Sequence, residues 1–412
     1  MDTYQLKKLQ EFKGMVEKQG CAEIIDELRN GEASSFNTLE KIIEQIKSFD
    51  EVDGNLVGLF YKPKYMWGAC YMDLSGIDLS GFSKSQLLRM GFSNRTVWPQ
   101  EDKLPSDFNP DEEINNAKKF KGLGIQELHD AGLVGKGTTI AYIDTPFDIE
   151  HVEFSGLDTQ YKPSNTKAIH FHGAAVSSRC VGQNMGIAPK SKYLYYEFDS
   201  SLCNDYNESS FISLLNALKD IIERVKMGQR VDVIGVSASP LFWLEKMKNK
   251  GNIEPEKLRI YKEEYDKLIG ELKELNIAYV DSSVFFNSGF SYSFMEDPTS
   301  SHENVDNYMC QFSQDSVSVV EAGRCVPCMF DRNNYKYENQ LGSASWSIPQ
   351  IVGMFALARQ IDEQLKFDDF VVLAHETAYE PNIHGARLIN PTELMKKIQL
   401  IKNSKIESDS SN

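Results

Sequence analysis

The sequence predicts an α/β protein in which a mainly parallel β-sheet is flanked by helices on both faces and preceded by a small α+β N-terminal region. From about residue 117, short apolar runs alternate with longer segments of helical periodicity, the pattern of parallel strands joined by helices. The 412 residues are enough for one large domain and a smaller one. A hydrophobic fraction of 41% is typical of a folded globular protein.

The first 98 residues do not show this alternation. Apolar residues at helical spacing predict two helices within residues 1–50, followed by two short strands within residues 55–72 and a short helix within residues 82–92. The region is either a prodomain, which would aid folding or inhibit the main domain, or a docking module. The order of its elements does not choose between these two interpretations.

Changes in composition divide the chain further. Residues 99–116 are polar and contain prolines, which predicts a linker. We therefore predict an accessory or prodomain-like region at 1–98, a linker at 99–116, the main α/β domain at 117–402 and a polar C-terminal tail at 403–412.

The main domain is predicted to alternate between helices and buried strands. Ligand sites in such sheets lie beyond the carboxyl ends of the strands, so functional side chains are expected there or at helix starts. The predicted elements are a helix with a glycine-rich exit at 122–137, strands at 138–144 and 192–198, a helix at 209–227, a strand at 231–239, a helix at 257–275 and a strand at 276–283.

Charge and cysteine content limit the partners and the compartment. A net charge of −16 makes nucleic acids and anionic membranes poor partners. The N-terminal residues lack the apolar core of a secretory signal, and no run reaches the roughly 18 apolar residues of a membrane span. Seven scattered cysteines argue against a disulfide framework, so we expect a cytoplasmic protein.

One stretch, Leu341–Ala358, combines small residues, a proline and a long apolar run. This pattern predicts a tight loop that leads into a buried helix, with Pro349 tolerated in its first turn. Ser345 would lie at the positive end of the helix, beside free backbone N–H groups. That position suits a nucleophile whose product is an oxyanion. The alternative is a loop serine that caps a core helix.

Two further residues carry chemistry that fits such a nucleophile. Asp144 ends an apolar strand, where its carboxylate would lie at the rim of the sheet and orient an imidazole. His172 precedes a glycine at the predicted start of a helix, where it would act as a general base. The alternatives are an aspartate that begins a turn and a buried structural histidine.

Three segments in the order Asp, His, Ser resemble the motifs of the subtilisin-like serine proteases. The segment IAYIDTPFDIEH resembles V-A-V-I-D-S-G-I-D-x-x-H, and FHGAAV resembles the H-G-T-H-V-A of the family. The stretch SASWSIPQIVG resembles G-T-S-M-A-S-P-H-V-A-G. The matching residues are Asp144, Asp148, His151, His172, Gly173, Val176, Ser345, Pro349 and Gly353.

The flanking positions depart from the family pattern. Pro146 and Ala174 replace a glycine and a threonine, and Ser343-Ala344 replaces Gly-Thr before the nucleophile. The family oxyanion asparagine lies in A-A-G-N-x-G, whereas here Phe285-Phe286 precede Asn287. The resemblance nonetheless covers roughly residues 117–402, and three motifs in the correct order make it specific.

The resemblance implies a subtilisin-like domain with an Asp144–His172–Ser345 triad. Asn287 and the Ser345 amide would hold the oxyanion. The segment VDVIGVSASP is similar to the family strand V-I-N-M-S-L-G, which implies that a substrate pairs as an added strand with the residues Ser237, Ala238 and Ser239. No metal ligand is predicted; subtilases often bind calcium, but no stretch identifies a calcium site here.

The implied function is a serine endopeptidase that works through an acyl-enzyme, with a specific peptide or protein as its expected substrate. The serious alternative is a catalytically inactive subtilase that serves as a binding or regulatory module, because every catalytic motif is altered at its flanks. The retained triad favours activity.

Two other interpretations have less support. An α/β-hydrolase requires G-x-S-x-G, but Trp346 follows Ser345 and breaks that motif. The C-x-x-C formed by Cys325 and Cys328 lacks a second pair or a nearby histidine pair, so free thiols are favoured over a zinc site or a regulated disulfide.

Overall fold

The computed structural model describes residues 74–76, 78–88, 91–163, 171–198, 208–251, 253–310, 315–321, 324–328, 331–338 and 344–410. The helices and strands predicted within the first 72 residues lie outside these described residues. No helix in the described part of the chain is long and apolar enough to cross a membrane.

The centre of the molecule is a five-stranded sheet in which every pair of neighbours is parallel. The strand order is β3-β4-β2-β5-β6. The strands are β2 (Thr139–Asp144), β3 (Thr159–Lys162), β4 (Lys192–Glu197), β5 (Val233–Gly235) and β6 (Ala278–Val280).

The central sheet is covered by helices on both faces, as the sequence predicts. Side chains alternate along a strand, so Ile140 and Tyr142 of β2 face one core and Ala141 and Ile143 face the other. The first core contains α4 (Phe171–Val181) and α9 (Ala344–Ile361). The second contains α5 (Glu208–Lys226), α6 (Pro240–Asn249) and α7 (Pro255–Glu274).

A second sheet follows the central one along the chain. Its order is β12-β9-β7-β8, and only the pair β7 and β8 is antiparallel. The short helix α8 (Ser282–Asn287) joins β6 to this sheet. The remaining elements are α3 (Ile125–Asp130), β7 (Phe290–Met295), β8 (Tyr308–Cys310), β9 (Val317–Glu321), α10 (Phe367–Glu376), β12 (Arg387–Leu388) and α11 (Pro391–Ser410).

A third, antiparallel sheet joins the N-terminal region to the rest of the protein. Its order is β1-β11-β10, so β1 (Phe92–Ser93) pairs with β11 (Tyr335–Glu338), which pairs with β10 (Arg324–Pro327). The helices α1 (Lys84–Leu88) and α2 (Pro110–Lys119) contribute to the apolar cluster beside this sheet.

The stretch predicted as a linker, residues 99–116, contains regular secondary structure. A 3-10 turn spans Glu101–Lys103, and α2 starts at Pro110 with Asn109 as its N-cap. Phe108 is buried in the cluster beside the third sheet. Proline and polar residues indicate a break in chain direction, and here they begin a helix (Pro at N1, acidic residues in the first turn) rather than a flexible connection. The predicted domain boundaries themselves stay a prediction.

Two other predicted elements differ in extent. The strand predicted at 231–239 ends at Gly235, because Pro240 begins α6 directly after Ser239. The predicted C-terminal tail at 403–412 is helical as far as Ser410, where α11 ends. Exposed polar residues are compatible with the outer face of a helix, so polarity alone did not distinguish a tail from a helix end.

Candidate active site

Asp144 is the last residue of β2, at the carboxyl end of the central sheet. Its side chain is completely buried. The Oδ1 atom accepts hydrogen bonds from the backbone N–H of Thr145, at 2.7 Å, and from Nδ1 of His172, at 2.6 Å. A buried carboxylate in this position fixes the imidazole ring and favours the tautomer with the proton on Nδ1.

His172 is the second residue of α4, and the loop after β2 holds this end of the helix. The backbone N–H of Gly173 donates to Oγ1 of Thr145 at 2.9 Å. Thr145 in turn accepts, through its carbonyl, a hydrogen bond from the hydroxyl of Tyr195 at 2.6 Å. The strand end that carries Asp144 and the helix start that carries His172 are therefore tied together by several hydrogen bonds.

Ser345 is the second residue of α9 and lies against the end of β5. Its Oγ donates to the carbonyl of Ser237 at 3.3 Å, and its carbonyl accepts from Oγ of Ser237 at 2.8 Å. The next residue, Trp346, has its ring centroid 5.1 Å from that of His172. The start of α9 therefore lies beside the imidazole that Asp144 orients.

The segment predicted to pair with a substrate, the residues Ser237, Ala238 and Ser239, makes several internal hydrogen bonds. The carbonyl of Ala238 accepts from the N–H of Ser282, and that of Ser239 accepts from the N–H of Trp243 in α6. Ser237 is 4% exposed, and its hydroxyl bonds to Ser345. The role of this segment in substrate binding stays a prediction.

Asn287, the predicted oxyanion donor, is the last residue of α8 and is exposed. The start of α8 is linked to the nucleophile by hydrogen bonds of two adjacent residues. The backbone N–H of Ser282 donates to the carbonyl of Ala238, and the carbonyl of the preceding residue, Ser237, accepts from Oγ of Ser345. Asp281 caps α8 by accepting from the N–H of Val284 at 2.8 Å. Burial raises the pKa of this carboxyl group. The assignment of Asn287 stays a prediction.

Tyrosines form an unpredicted layer beneath the site. Tyr142, Tyr193 and Tyr195 are fully buried on the face of the central sheet that packs against α4 and α9. Burial raises the pKa of all three phenols far above the usual value, with the charge of Asp144 adding to the effect, so the hydroxyls stay protonated. The signal in the sequence was the alternation of tyrosines within the strands.

The described residues contain no group of three or more His, Cys, Asp or Glu side chains arranged to hold a metal ion. Cys325 and Cys328 are buried and are not joined in a disulfide. Burial raises the pKa of the Cys325 thiol, which makes it a poor nucleophile.

The central parallel sheet and the helices on both of its faces are those of the subtilisin-like fold class. Residues 135–323 match the model of the subtilase family, peptidase family S8. The matched family consists of serine proteases, which are hydrolases, so this stretch is similar to a serine-protease domain. Asp144 and His172 lie inside the matched range, whereas Ser345 lies 22 residues beyond its end. The family acts on peptides or proteins.

Several solved structures resemble the chain. The prenylagaramide maturation protease PagA is 18% identical, with 67% of this chain and 98% of that chain covered and a TM-score of 0.43. Fervidolysin from Fervidobacterium pennivorans, a keratinolytic enzyme, is 15% identical, with 66% and 44% covered and a TM-score of 0.43. The PatG macrocyclase in complex with peptide is 14% identical, with 67% and 95% covered and a TM-score of 0.42. No curated protein matches the sequence.

Proposed function

We propose that this protein is a serine endopeptidase in which Asp144, His172 and Ser345 form the catalytic triad. The observation that carries the proposal is the 2.6 Å hydrogen bond from Nδ1 of His172 to the buried carboxylate of Asp144. This bond leaves Nε2 as the basic atom of the ring, and the ring lies beside Trp346, the neighbour of Ser345. A base oriented in this way is what a serine nucleophile requires.

The proposed reaction is acyl transfer. Oγ of Ser345 attacks the carbonyl carbon of the peptide bond while Nε2 of His172 takes the hydroxyl proton. The C–N bond then breaks, and His172 returns the proton to the leaving amine. Water, activated by the same imidazole, releases the acyl group from Ser345. Asp144 stabilises the imidazolium that forms in both steps.

The oxyanion of the tetrahedral intermediate needs hydrogen-bond donors. The backbone N–H of Ser345 lies in the first turn of the 18-residue helix α9, at the positive end of the helix dipole, which favours a negative charge nearby. This N–H is the proposed first donor, and the side-chain amide of Asn287 is the proposed second donor. One such donor contributes about 3 kcal/mol to lowering the barrier.

The proposed substrate is a specific peptide or protein, and the scattered cysteines support a cytoplasmic location for the proposed activity. The altered flanks at Pro146 and Ala174 fit a site that is narrower in its specificity than that of a digestive protease. Efficient degradation of several unrelated unfolded proteins by the purified chain would count against this part of the proposal.

The test is labelling with a fluorophosphonate probe, which reacts with an activated serine and mimics the tetrahedral intermediate. We expect the wild type to be labelled and Ser345→Ala and His172→Ala to lose labelling. Asp144→Asn is expected to label about 10³ to 10⁴ times more slowly, because the amide favours the wrong imidazole tautomer. Ser347→Ala, a buried serine in the same helix, is the matched control and should keep labelling.

The same experiment decides against the inactive alternative. If the folded wild type is not labelled, and remains unlabelled when the N-terminal region is cleaved by limited proteolysis, the chain is a subtilase-like binding module and not a protease. Folding is verified by circular dichroism and by a cooperative thermal transition.

A further inference from the structure

The carbonyl of Ser345 lacks its usual partner within the helix. In an α-helix this oxygen accepts from the N–H four residues later, which here is position 349. Pro349 has no N–H, and its ring pushes the carbonyl of the residue four positions earlier away from the helix axis. Oγ of Ser237 donates to that carbonyl at 2.8 Å and supplies the missing hydrogen bond.

The hydroxyl of Ser237 is itself held from the other side. Oη of Tyr142 lies 2.5 Å from Oγ of Ser237. The proton of Ser237 is directed at the carbonyl of Ser345, which can only accept, so Tyr142 must donate to Ser237. The result is a directed chain of hydrogen bonds from Tyr142 through Ser237 to Ser345, and such chains strengthen each member.

The neighbouring strand leaves space for this arrangement. Tyr142 lies directly opposite Gly235 in the register of β2 and β5. A Cβ atom on Gly235 would lie 2.4 Å from the ring of Tyr142, so the ring occupies the space that any other residue would need. This fit lets the phenol cross the strand and reach Ser237, two residues further along. Tyr142 is fully buried and Ser237 is 4% exposed, so bulk water does not compete for these bonds.

We propose that Tyr142 is a positioning residue for the nucleophile and acts on Ser345 through the hydroxyl of Ser237. The inference rests on the proposed function of Ser345. By holding the Ser345 carbonyl, the chain of hydrogen bonds fixes the first turn of α9 and therefore the direction of Oγ relative to His172. The raised pKa of the buried phenol keeps Tyr142 a donor throughout the working pH range.

The protein contains a matched control for this proposal. Tyr193 on the adjacent strand β4 is also fully buried, and its hydroxyl lies 2.8 Å from that of Ser177. Ser177 lies within α4, more than one turn after His172. The hydrogen bond of Tyr193 therefore leads to α4 and not to Ser345. Tyr142→Phe and Tyr193→Phe therefore remove the same kind of buried hydrogen bond, but only the first removes a bond that leads to the nucleophile.

The experiment measures the second-order rate constant of fluorophosphonate labelling, together with the melting temperature of each variant. We expect Tyr142→Phe to lower the labelling rate by about three- to tenfold, the value of one net hydrogen bond, while Tyr193→Phe labels like the wild type. Both variants should lose a similar amount of thermal stability. Ser237→Ala should lower the rate at least as much as Tyr142→Phe, and the double variant should label no more slowly than Ser237→Ala alone.

The outcomes distinguish a failure of this inference from a failure of the proposed function. If the folded wild type does not react, the proposed protease activity fails. If the wild type reacts and Tyr142→Phe labels as fast as Tyr193→Phe, or if the effects of Tyr142→Phe and Ser237→Ala multiply, the positioning role is overturned. Should Tyr142→Phe fail to fold, Ser237→Thr, which keeps a hydroxyl, is compared with Ser237→Ala. Equal rates for these two variants would also overturn the proposal.

Discussion

The glycine that follows His172 illustrates how a single residue sets the geometry of the site. A Cβ atom on Gly173 would lie 2.2 Å from the carbonyl oxygen of Thr145 and 2.5 Å from the hydroxyl of Tyr195. Only a residue without a side chain lets the start of α4 approach the end of β2 this closely. This close approach brings Nδ1 of His172 to the carboxylate of Asp144. The motif therefore requires a glycine at this position for a steric reason.

His302 gives a prediction for the dependence of stability on pH. Burial, with the positive charge of Arg179 adding to it, lowers the pKa of this imidazole to about 4, and its ring packs against Phe120. Because the folded state binds the proton more weakly than the unfolded state, stability is complete above the ordinary pKa near 6.5 and is lost as the pH falls towards 4. This group alone is expected to cost about 3 kcal/mol across that range.

The measurement is urea unfolding of the wild type and His302→Gln at pH 7 and pH 4.5. The variant cannot become charged, so its free energy of unfolding should fall less between the two pH values than that of the wild type. His384→Gln is the control, since that imidazole contacts Glu296 rather than an aromatic ring. Equal losses in the wild type and His302→Gln would contradict the prediction.

The sequence predicts individual residues where a motif fixes their spacing along the chain. Asp144, His172 and Ser345 belong to such motifs, and the structure places them at the start or end of the expected elements. The pair Tyr142 and Gly235 was not predicted. The contact depends on which residues of β2 and β5 lie opposite each other, and this register cannot be inferred from the sequence of either strand alone.

At the level of elements, the short helices at the ends of β5 and β6 were the least predictable part of the site. Alternation of apolar residues predicted a strand through residue 239, but the chain turns into α6 at Pro240. The helix α8 was not predicted, and Phe285 within it is completely buried. A short apolar run is compatible with a strand end or with one turn of helix, so only packing decides between them.

The start of α8 provides a second candidate for the oxyanion donor. Ser282 bonds to Ala238, next to the residue that holds Ser345, whereas Asn287 lies five residues further on, about 7.5 Å along the helix axis. If Asn287 is the second donor, as proposed, Asn287→Ala should slow fluorophosphonate labelling by about 10² to 10³, while Ser282→Ala and Ser283→Ala label like the wild type. A larger loss in either serine variant than in Asn287→Ala would contradict the proposal and assign the second donor to the start of α8.

The variants at this helix need a control for folding, because Asp281 and its neighbours hold α8 in place. Tyr265 donates to Asp281 at 3.1 Å from the long helix α7. Tyr265→Phe removes that contact without touching Ser282 or Asn287. If Tyr265→Phe slows labelling as much as Asn287→Ala does, the effect reflects loosening of α8 and not the loss of a donor.

For the molecule as a whole, the structure shows what the described part of the N-terminal region contacts. The sequence left open whether residues 1–98 act as a prodomain or as a docking module. Its described part, from residue 74, contributes leucines and Phe92 to an apolar cluster that also contains Cys325 and Tyr337. Contacts between residues more than two hundred positions apart cannot be inferred from local composition, which is why the polar stretch at 99–116 was predicted as a linker.

Phe92 tests whether this region is separable from the protease domain. It is fully buried, stacks on Tyr337 with ring centroids 4.8 Å apart, and makes edge contacts with Trp98 and Phe108. If the region is integral, Phe92→Ala leaves a cavity in the shared core and lowers the free energy of unfolding of the full chain by about 3 to 5 kcal/mol. Val97→Ala, at a side chain that is 51% exposed, should change it little.

The unfolding measurement is combined with fluorophosphonate labelling, because the two interpretations of the region differ in both. If the region is integral, Phe92→Ala should unfold in a single thermal transition, and labelling should be lost in that same transition. A removable inhibitory prodomain predicts the opposite: the variant releases the region early, and labelling increases while the protease domain remains folded. A change in unfolding free energy below about 1 kcal/mol would show that the third sheet does not bind the region to the domain.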